Sequence, residues 1–206
     1  MTVSFWQLLV YAGGMVALWA VPGPVWMALM ARALAGGFAA AWPLAVGVAI
    51  GDLAWPLSAI LGLSWILTVY GDALALLRWV AAAVFLVMGI KLLRKPAVMP
   101  DADSRLARPG LWAGFSVGMA AVIGNPKAIL FYMGALPGFF NLSRLTALDI
   151  IWIISISAFV PMLGNLGLAL FLDRARALLS SPGNLRRLNI VSGLLLIVVA
   201  GAIPLL

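Results

Sequence analysis

Long runs of apolar residues are the feature that most constrains how this chain can fold. Six runs cover residues 5–29, 38–63, 74–93, 111–136, 145–172 and 189–206. A helix that spans a bilayer needs roughly 20 mainly apolar residues. The composition agrees, because the chain is 65% hydrophobic and only 9% charged. A water-soluble domain has about a quarter of its residues charged. The sequence therefore predicts an all-α integral membrane protein with six transmembrane helices, surrounded by membrane lipid.

The missing residue types exclude several chemistries. The chain has no cysteine and no histidine, and all six of its acidic residues are aspartates. Thiolate and imidazole ligands are therefore absent, as is the commonest general base. We expect no enzymatic activity, no catalytic residue, no cofactor and no metal site. The formal net charge of +7 reflects membrane topology, so we expect no nucleic-acid partner.

Basic residues predict the orientation of the six helices, because they collect in cytoplasmic loops. With six spans, the first, third and fifth loops share one side and carry ten basic residues, whereas the other side carries only Arg144. We therefore expect both termini to be periplasmic in a bacterial inner membrane. The ten residues are Arg32, Lys91, Arg94, Lys95, Arg105, Arg108, Arg174, Arg176, Arg186 and Arg187.

The chain divides into two halves with corresponding interruptions. Residues 1–93 and 111–206 each hold three spans, and residues 94–110 form a polar cytoplasmic loop within the single transmembrane domain 1–206. An odd number of spans in each half predicts two inverted three-helix repeats, with a broken first and fourth helix. Transporter sites commonly lie where such broken helices meet.

Prolines cause the two interruptions. The first contains Pro22, Gly23 and Pro24, and the second contains Asn125, Pro126 and Lys127. Each proline lacks the N–H that would bond the carbonyl four residues earlier. The carbonyls of residues 18, 20 and 122 are therefore free to accept other donors. The alternative is a pair of structural kinks, since proline is common in membrane helices.

Two charged residues complete the candidate transport site. Asp52 lies inside the second span, where an ionisable side chain marks a functional site by default. It could bind a proton, a cation or an ammonium group. Lys127 could compensate Asp52, bind a substrate carboxylate, or extend to the membrane surface.

Both interruptions resemble signatures of the LysE/RhtB family of amino-acid exporters. The first signature matches residues 21–24 with Gly36 and Gly37, and the second matches residues 125–131 with Pro137 beyond it. Val21 stands where that family often has threonine. The resemblance covers nearly the whole chain. It implies proton-coupled efflux of small amino acids or related metabolites, so an amino acid is the expected small-molecule substrate and the chain is expected to act as an antiporter.

Alternatives and secondary features remain at this point. A metal-cation exporter of the same superfamily and a non-transporting membrane scaffold are the main alternatives. An intramembrane aspartyl protease is disfavoured, because Asp72 falls in a short outer loop away from Asp52. Ser157, Pro161 and Asn165 share one helix face that could line a cavity or bond a neighbouring helix. Glycine repeats at residues 47–51 and 110–118 could pack helices within one chain or in a homodimer.

Overall fold

The computed structural model describes residues 2–63, 73–94, 110–174 and 182–205, and these are helical with short connections. We number the helices α1 (Phe5–Ala20), α2 (Pro24–Gly51), α3 (Ala54–Ser58, with one π-helical turn at Ala59–Leu63), α4 (Ala73–Arg94), α5 (Leu111–Ile123), α6 (Pro126–Phe139), α7 (Ala147–Arg174) and α8 (Pro182–Ala202). Single 3₁₀ turns occupy Leu142–Arg144 and Ile203–Leu205. No strand occurs in these four ranges.

Helix length and hydropathy fit a membrane protein. Two stretches among the described residues are long and apolar enough to cross a bilayer, Pro24–Gly62 and Ala147–Arg174. A third qualifies if α5 and α6, which are bent by 46° at their junction, form one span. The chain is therefore an all-α membrane protein. The six-span count and the inverted repeat stay predictions. Most of the cytoplasmic loop and the outer loop with Asp72 lie outside the described residues.

Both predicted interruptions are present. Residues 21–23 separate α1 from α2, and residues 124–125 separate α5 from α6. The predicted second span is also interrupted, at Asp52 and Leu53. A continuous helix of that length would exceed the hydrocarbon thickness.

Helix boundaries differ from the prediction at two places. The helix that follows the first interruption does not end at residue 29 but continues to a bend at Gly36 and Gly37. Gly37 has φ 67°, a backbone conformation that glycine adopts without strain. The last helix begins at Pro182 rather than at residue 189. Proline is favoured in the first turn of a helix, where its missing N–H would be unbonded anyway.

Arg32 does not lie in a loop. The prediction placed it in the first cytoplasmic loop, but it lies within α2 and its side chain is only 1% exposed. Its guanidinium donates to the carbonyl of Ala40 at 2.5 Å and to that of Gly110 at 3.0 Å. Arg32 therefore connects the two sides of the Gly36–Gly37 bend and joins them to the start of α5.

Asp149 holds the first residues of the chain. Its buried carboxylate accepts hydrogen bonds from the backbone N–H groups of Thr2 at 3.0 Å and Val3 at 3.3 Å. It also accepts from the N–H and hydroxyl of Thr146, at 2.9 and 2.6 Å. In the structure Asp149 joins the N-terminal segment to the first turn of α7.

The two glycine repeats pack α2 against α5. A Cβ atom added to Gly47 would collide with the backbone carbonyl of Phe115, and one added to Gly118 would collide with that of Leu44. Helix backbones approach this closely only where side chains are absent. Both repeats are therefore used within one chain.

We expect Gly118→Ala to destabilise the protein. The added methyl group must displace the α2 backbone, and overpacking of this kind costs about 1–3 kcal/mol. The measurement is the melting temperature of the purified protein in detergent. Gly13→Ala is the matched control, because a Cβ at Gly13 meets no atom within 4 Å. Equal melting temperatures for the two variants would contradict the close packing of α2 and α5.

Candidate functional site

The first interruption exposes backbone carbonyls at the end of α1. Val21 and Gly23 are extended, and Pro24 begins α2. The Lys127 Nζ donates to the carbonyl of Leu18 at 2.7 Å and to that of Val21 at 2.6 Å. The Leu18 carbonyl is one that Pro22 was predicted to free. Lys127 therefore joins the second interruption directly to the first.

The second interruption positions Lys127. Asn125 caps α6, because its side-chain oxygen accepts from the Lys127 backbone N–H at 3.1 Å. Pro126 occupies the first helical position. The carbonyl of Val122, which Pro126 was predicted to free, accepts from the Trp55 indole at 3.3 Å and from the Asn125 N–H at 3.1 Å. The backbone groups freed by Pro22 and Pro126 thus bind side chains from other segments.

Tryptophan donors connect α1, α2 and α7. The Trp19 indole N–H donates to the side-chain oxygen of Asn165 at 3.0 Å. The Trp26 indole N–H donates to the carbonyl of Trp19 at 2.8 Å. The Nδ2 of Asn165 is buried and has no hydrogen-bond acceptor among the described residues.

Asp52 lies at the C-terminal end of α2 and is 4% exposed. No described residue donates a hydrogen bond to its carboxylate. The side chain lies within electrostatic range of Lys127, and it lines the same cavity. A carboxylate and an ammonium group are therefore placed together inside the bundle, away from water.

The cavity lies between the two interruptions and has a volume of about 40 Å³. Polar side chains on its wall come from Asp52, Asn125, Lys127 and Asn165, beside the backbone of Gly23. Apolar side chains close the remainder, among them Met15, Trp19 and Trp26. This volume admits only a few water molecules, since one water needs about 10–15 Å³.

The predicted site residues fall into two groups. Asp52, Gly23, Asn125 and Lys127 line the cavity, whereas Pro22, Pro24 and Pro126 belong to the two interruptions but are not among its lining residues. The sequence left two alternatives for the helix face of Ser157, Pro161 and Asn165, lining a cavity or bonding a neighbouring helix. Pro161 and Asn165 line the cavity. Ser157 bonds a neighbouring helix, because its hydroxyl lies 2.7 Å from that of Tyr11 in α1.

Sequence reasoning missed the part played by aromatic side chains around the cavity. Trp26 contributes both a wall and a hydrogen bond, and the buried Tyr132 donates to the sulfur of Met15 at 3.7 Å. The sequence feature that could have indicated this part is the placement of Trp19 and Trp26 on either side of the first interruption. In the described ranges no cluster of three or more acidic, histidine or cysteine residues could hold a metal ion.

A buried polar cavity between interrupted membrane helices is typical of secondary transporters. The family model described as LysE type translocator matches residues 16–204, so the chain belongs to this family of membrane transporters. The chain is also 29% identical over 197 residues to an uncharacterized membrane protein of Synechocystis sp., covering 96% of this chain and 95% of that protein. No solved structure matches the chain.

We expect Lys127→Met to reduce stability strongly. The substitution leaves two buried carbonyls without donors, at about 1–3 kcal/mol each, and leaves Asp52 without a nearby cation. Melting temperatures in detergent measure the effect. Combining Lys127→Met with Asp52→Asn should restore part of the loss, because the uncompensated carboxylate is then gone.

Lys91→Met is the matched control, since Lys91 is exposed on α4. If Lys127→Met melts at the same temperature as Lys91→Met, the hydrogen bonds of Lys127 do not stabilise the junction of the two interruptions.

Proposed function

We propose that this protein exports small amino acids or related metabolites from the bacterial cytoplasm in exchange for protons. The observation that carries the proposal is a single cavity, lined by Asp52 and Lys127, where the two interruptions meet. An amino acid is a zwitterion, so its ammonium and carboxylate groups complement these two side chains. Trp19, Trp26 and Met15 leave an apolar wall for a short side chain.

Lys127 binds the substrate carboxylate in this proposal. Its ammonium group has three N–H donors, of which two bind the carbonyls of Leu18 and Val21. The third donor is available to a solute in the cavity. A carboxylate also attracts the whole ammonium charge, so it can draw Lys127 away from the carbonyls and loosen the junction between α1 and α6.

Asp52 couples the proton to the substrate. Its carboxylate can hold either a proton or the ammonium group of a substrate, but not both together. Loading a proton therefore displaces the substrate, and loading the substrate displaces the proton. Competition for one carboxylate is sufficient for antiport, and the lack of a hydrogen-bond donor from the described residues leaves Asp52 available for either partner.

Asp52→Asn is expected to abolish transport driven by a pH gradient while the protein still folds, because the amide cannot exchange a proton. Export of labelled amino acids from proteoliposomes, with and without a pH gradient, measures this. Asp173→Asn is the matched control on an exposed residue at the end of α7. Wild-type transport by Asp52→Asn at equal protein content would exclude the proposed role.

The substrate class is tested with a panel of glycine, alanine, serine, leucine and lysine, and with Mn²⁺ and Cd²⁺ as metal probes. Transport of one or more small amino acids supports the proposal. Transport of metal ions alone supports a metal-cation exporter. If no probe moves through a folded protein, the function of a non-transporting scaffold is favoured.

We further propose that the protein lies in the inner membrane with both termini in the periplasm. Besides the charge distribution, support comes from Thr2, whose hydroxyl donates to the Arg144 carbonyl at 3.0 Å. This contact brings the N-terminal segment to the loop before α7, and the six-span topology puts both on the same side. A homodimer stays a prediction, since the glycine repeats are already used within one chain.

Reporter fusions test the topology. We expect a reporter that is active only in the periplasm to be active at the C-terminus, and a reporter that is active only in the cytoplasm to be inactive there. A fusion in the loop at residues 95–109 is the internal control and should give the opposite pattern. Strong cytoplasmic activity at the C-terminus contradicts an even number of spans with periplasmic ends.

A further inference from the structure

Asn165 has a feature that the electrostatic pair of Asp52 and Lys127 does not explain. Its side chain is 1% exposed and lines the cavity, yet its Nδ2 lacks an acceptor among the described residues. A buried donor without a partner is destabilising. The hydrogen bond from Trp19 accounts for the amide oxygen, so it is the NH₂ group that requires an explanation.

Trp19 determines which way the amide faces. The indole nitrogen can only donate a hydrogen bond, and it donates to Oδ1 of Asn165 at 3.0 Å. Rotating the amide by half a turn would place two donors against each other. The Asn165 oxygen is therefore committed to Trp19, and the NH₂ group is held on the other branch of the amide with both of its donors unused.

Asn165 and Lys127 bind the same turn of α1. Lys127 reaches the carbonyls of residues 18 and 21, and Asn165 reaches the side chain of residue 19. Both side chains also line the same cavity. An unused ammonium donor and an unused amide donor thus belong to two residues that line one cavity. A carboxylate satisfies such a pair, because it is anionic and accepts several hydrogen bonds.

We propose that the Asn165 amide is the second donor of a carboxylate subsite, acting beside Lys127, and that Trp19 is the positioning residue that holds this amide in its donating orientation. The subsite selects small solutes with a free carboxylate over solutes in which that group is an amide. This inference rests on the proposed function and adds the determinant of its selectivity. The donor becomes accessible when the cavity expands to admit a solute.

Asn165→Asp tests the proposal with the least change in shape. Aspartate keeps an oxygen for the Trp19 indole but replaces the donor with a second acceptor. The assay is counterflow of labelled alanine in proteoliposomes, with unlabelled alanine and alaninamide as competitors. A hydrogen bond to a charged group contributes about 1.5–3 kcal/mol, so we expect at least a tenfold higher half-inhibitory concentration of alanine. Competition by alaninamide should be unchanged or stronger.

Trp19→Phe provides an independent variant that leaves Asn165 in place. Without the indole donor the amide can rotate. The preference for alanine over alaninamide should therefore fall, but by a smaller factor than in Asn165→Asp. This variant also decides the question if Asn165→Asp does not fold. The matched controls are Asn141→Asp on an exposed turn and Trp152→Phe on an exposed face of α7, and both should retain the wild-type preference.

The outcomes separate the two proposals. If wild-type protein exchanges alanine and the preference for alanine falls in both variants, the carboxylate subsite is supported. Suppose that wild-type protein exchanges alanine and that folded Asn165→Asp keeps the wild-type preference for alanine over alaninamide within twofold. The subsite is then overturned and the proposed function survives. If Asn165→Asp does not fold, the same result with Trp19→Phe leads to the same conclusion. If wild-type protein exchanges none of the small amino acids of the panel, the proposed function fails, and the subsite fails with it. If it exchanges another of them but not alanine, that amino acid and its amide replace alanine and alaninamide in the assay.

Discussion

The fold of the cavity depends on the hydrogen bonds from the Lys127 ammonium group to the carbonyls of Leu18 and Val21. In a bilayer there is no water to satisfy the groups that an interrupted helix exposes, and each unsatisfied group is costly. The ammonium group satisfies two of these carbonyls and also brings a positive charge to the negative end of α1. Asp52 in turn makes the burial of that charge tolerable. The prolines, the lysine and the aspartate therefore form one interdependent set.

Three tryptophan side chains provide further hydrogen bonds around this set. Each of three indoles has an apolar ring that can lie among hydrocarbon side chains and a single N–H that needs an acceptor. Trp55 donates to the Val122 carbonyl, Trp26 to the Trp19 carbonyl, and Trp19 to Asn165. Rings at these positions fill space and satisfy polar groups at the same time. These hydrogen bonds join α1, α2, α3, α5 and α7 beside a cavity of about 40 Å³.

The sequence predicted the parts of the site that depend on local chemistry. Proline removes a known hydrogen bond, so the interruptions and the freed carbonyls of Leu18 and Val122 could be predicted from position alone. An aspartate within an apolar run is conspicuous for the same reason. The partners could not be predicted, since Lys127 lies 109 and 106 residues from the carbonyls it binds. Burial of Arg32 was missed, because it depends on the backbone groups of the Gly36–Gly37 bend and of the start of α5. The start of α8 at Pro182 was also missed, although proline is favoured in the first turn of a helix.

Opening of the cavity is constrained by the same hydrogen bonds. On the measure in which one water needs about 10–15 Å³, the cavity of about 40 Å³ holds only a few water molecules. Under the proposed function, an amino acid larger than these few waters requires the helices at the junction to separate, and separation away from water would leave the Leu18 and Val21 carbonyls and the Lys127 charge without partners. A substrate that carries its own ammonium and carboxylate groups removes this obstacle, since its ammonium group can bind Asp52 or the carbonyls while its carboxylate binds Lys127. Substrate entry and helix separation then favour one another, whereas an apolar molecule of the same size would leave every polar group of the junction unsatisfied.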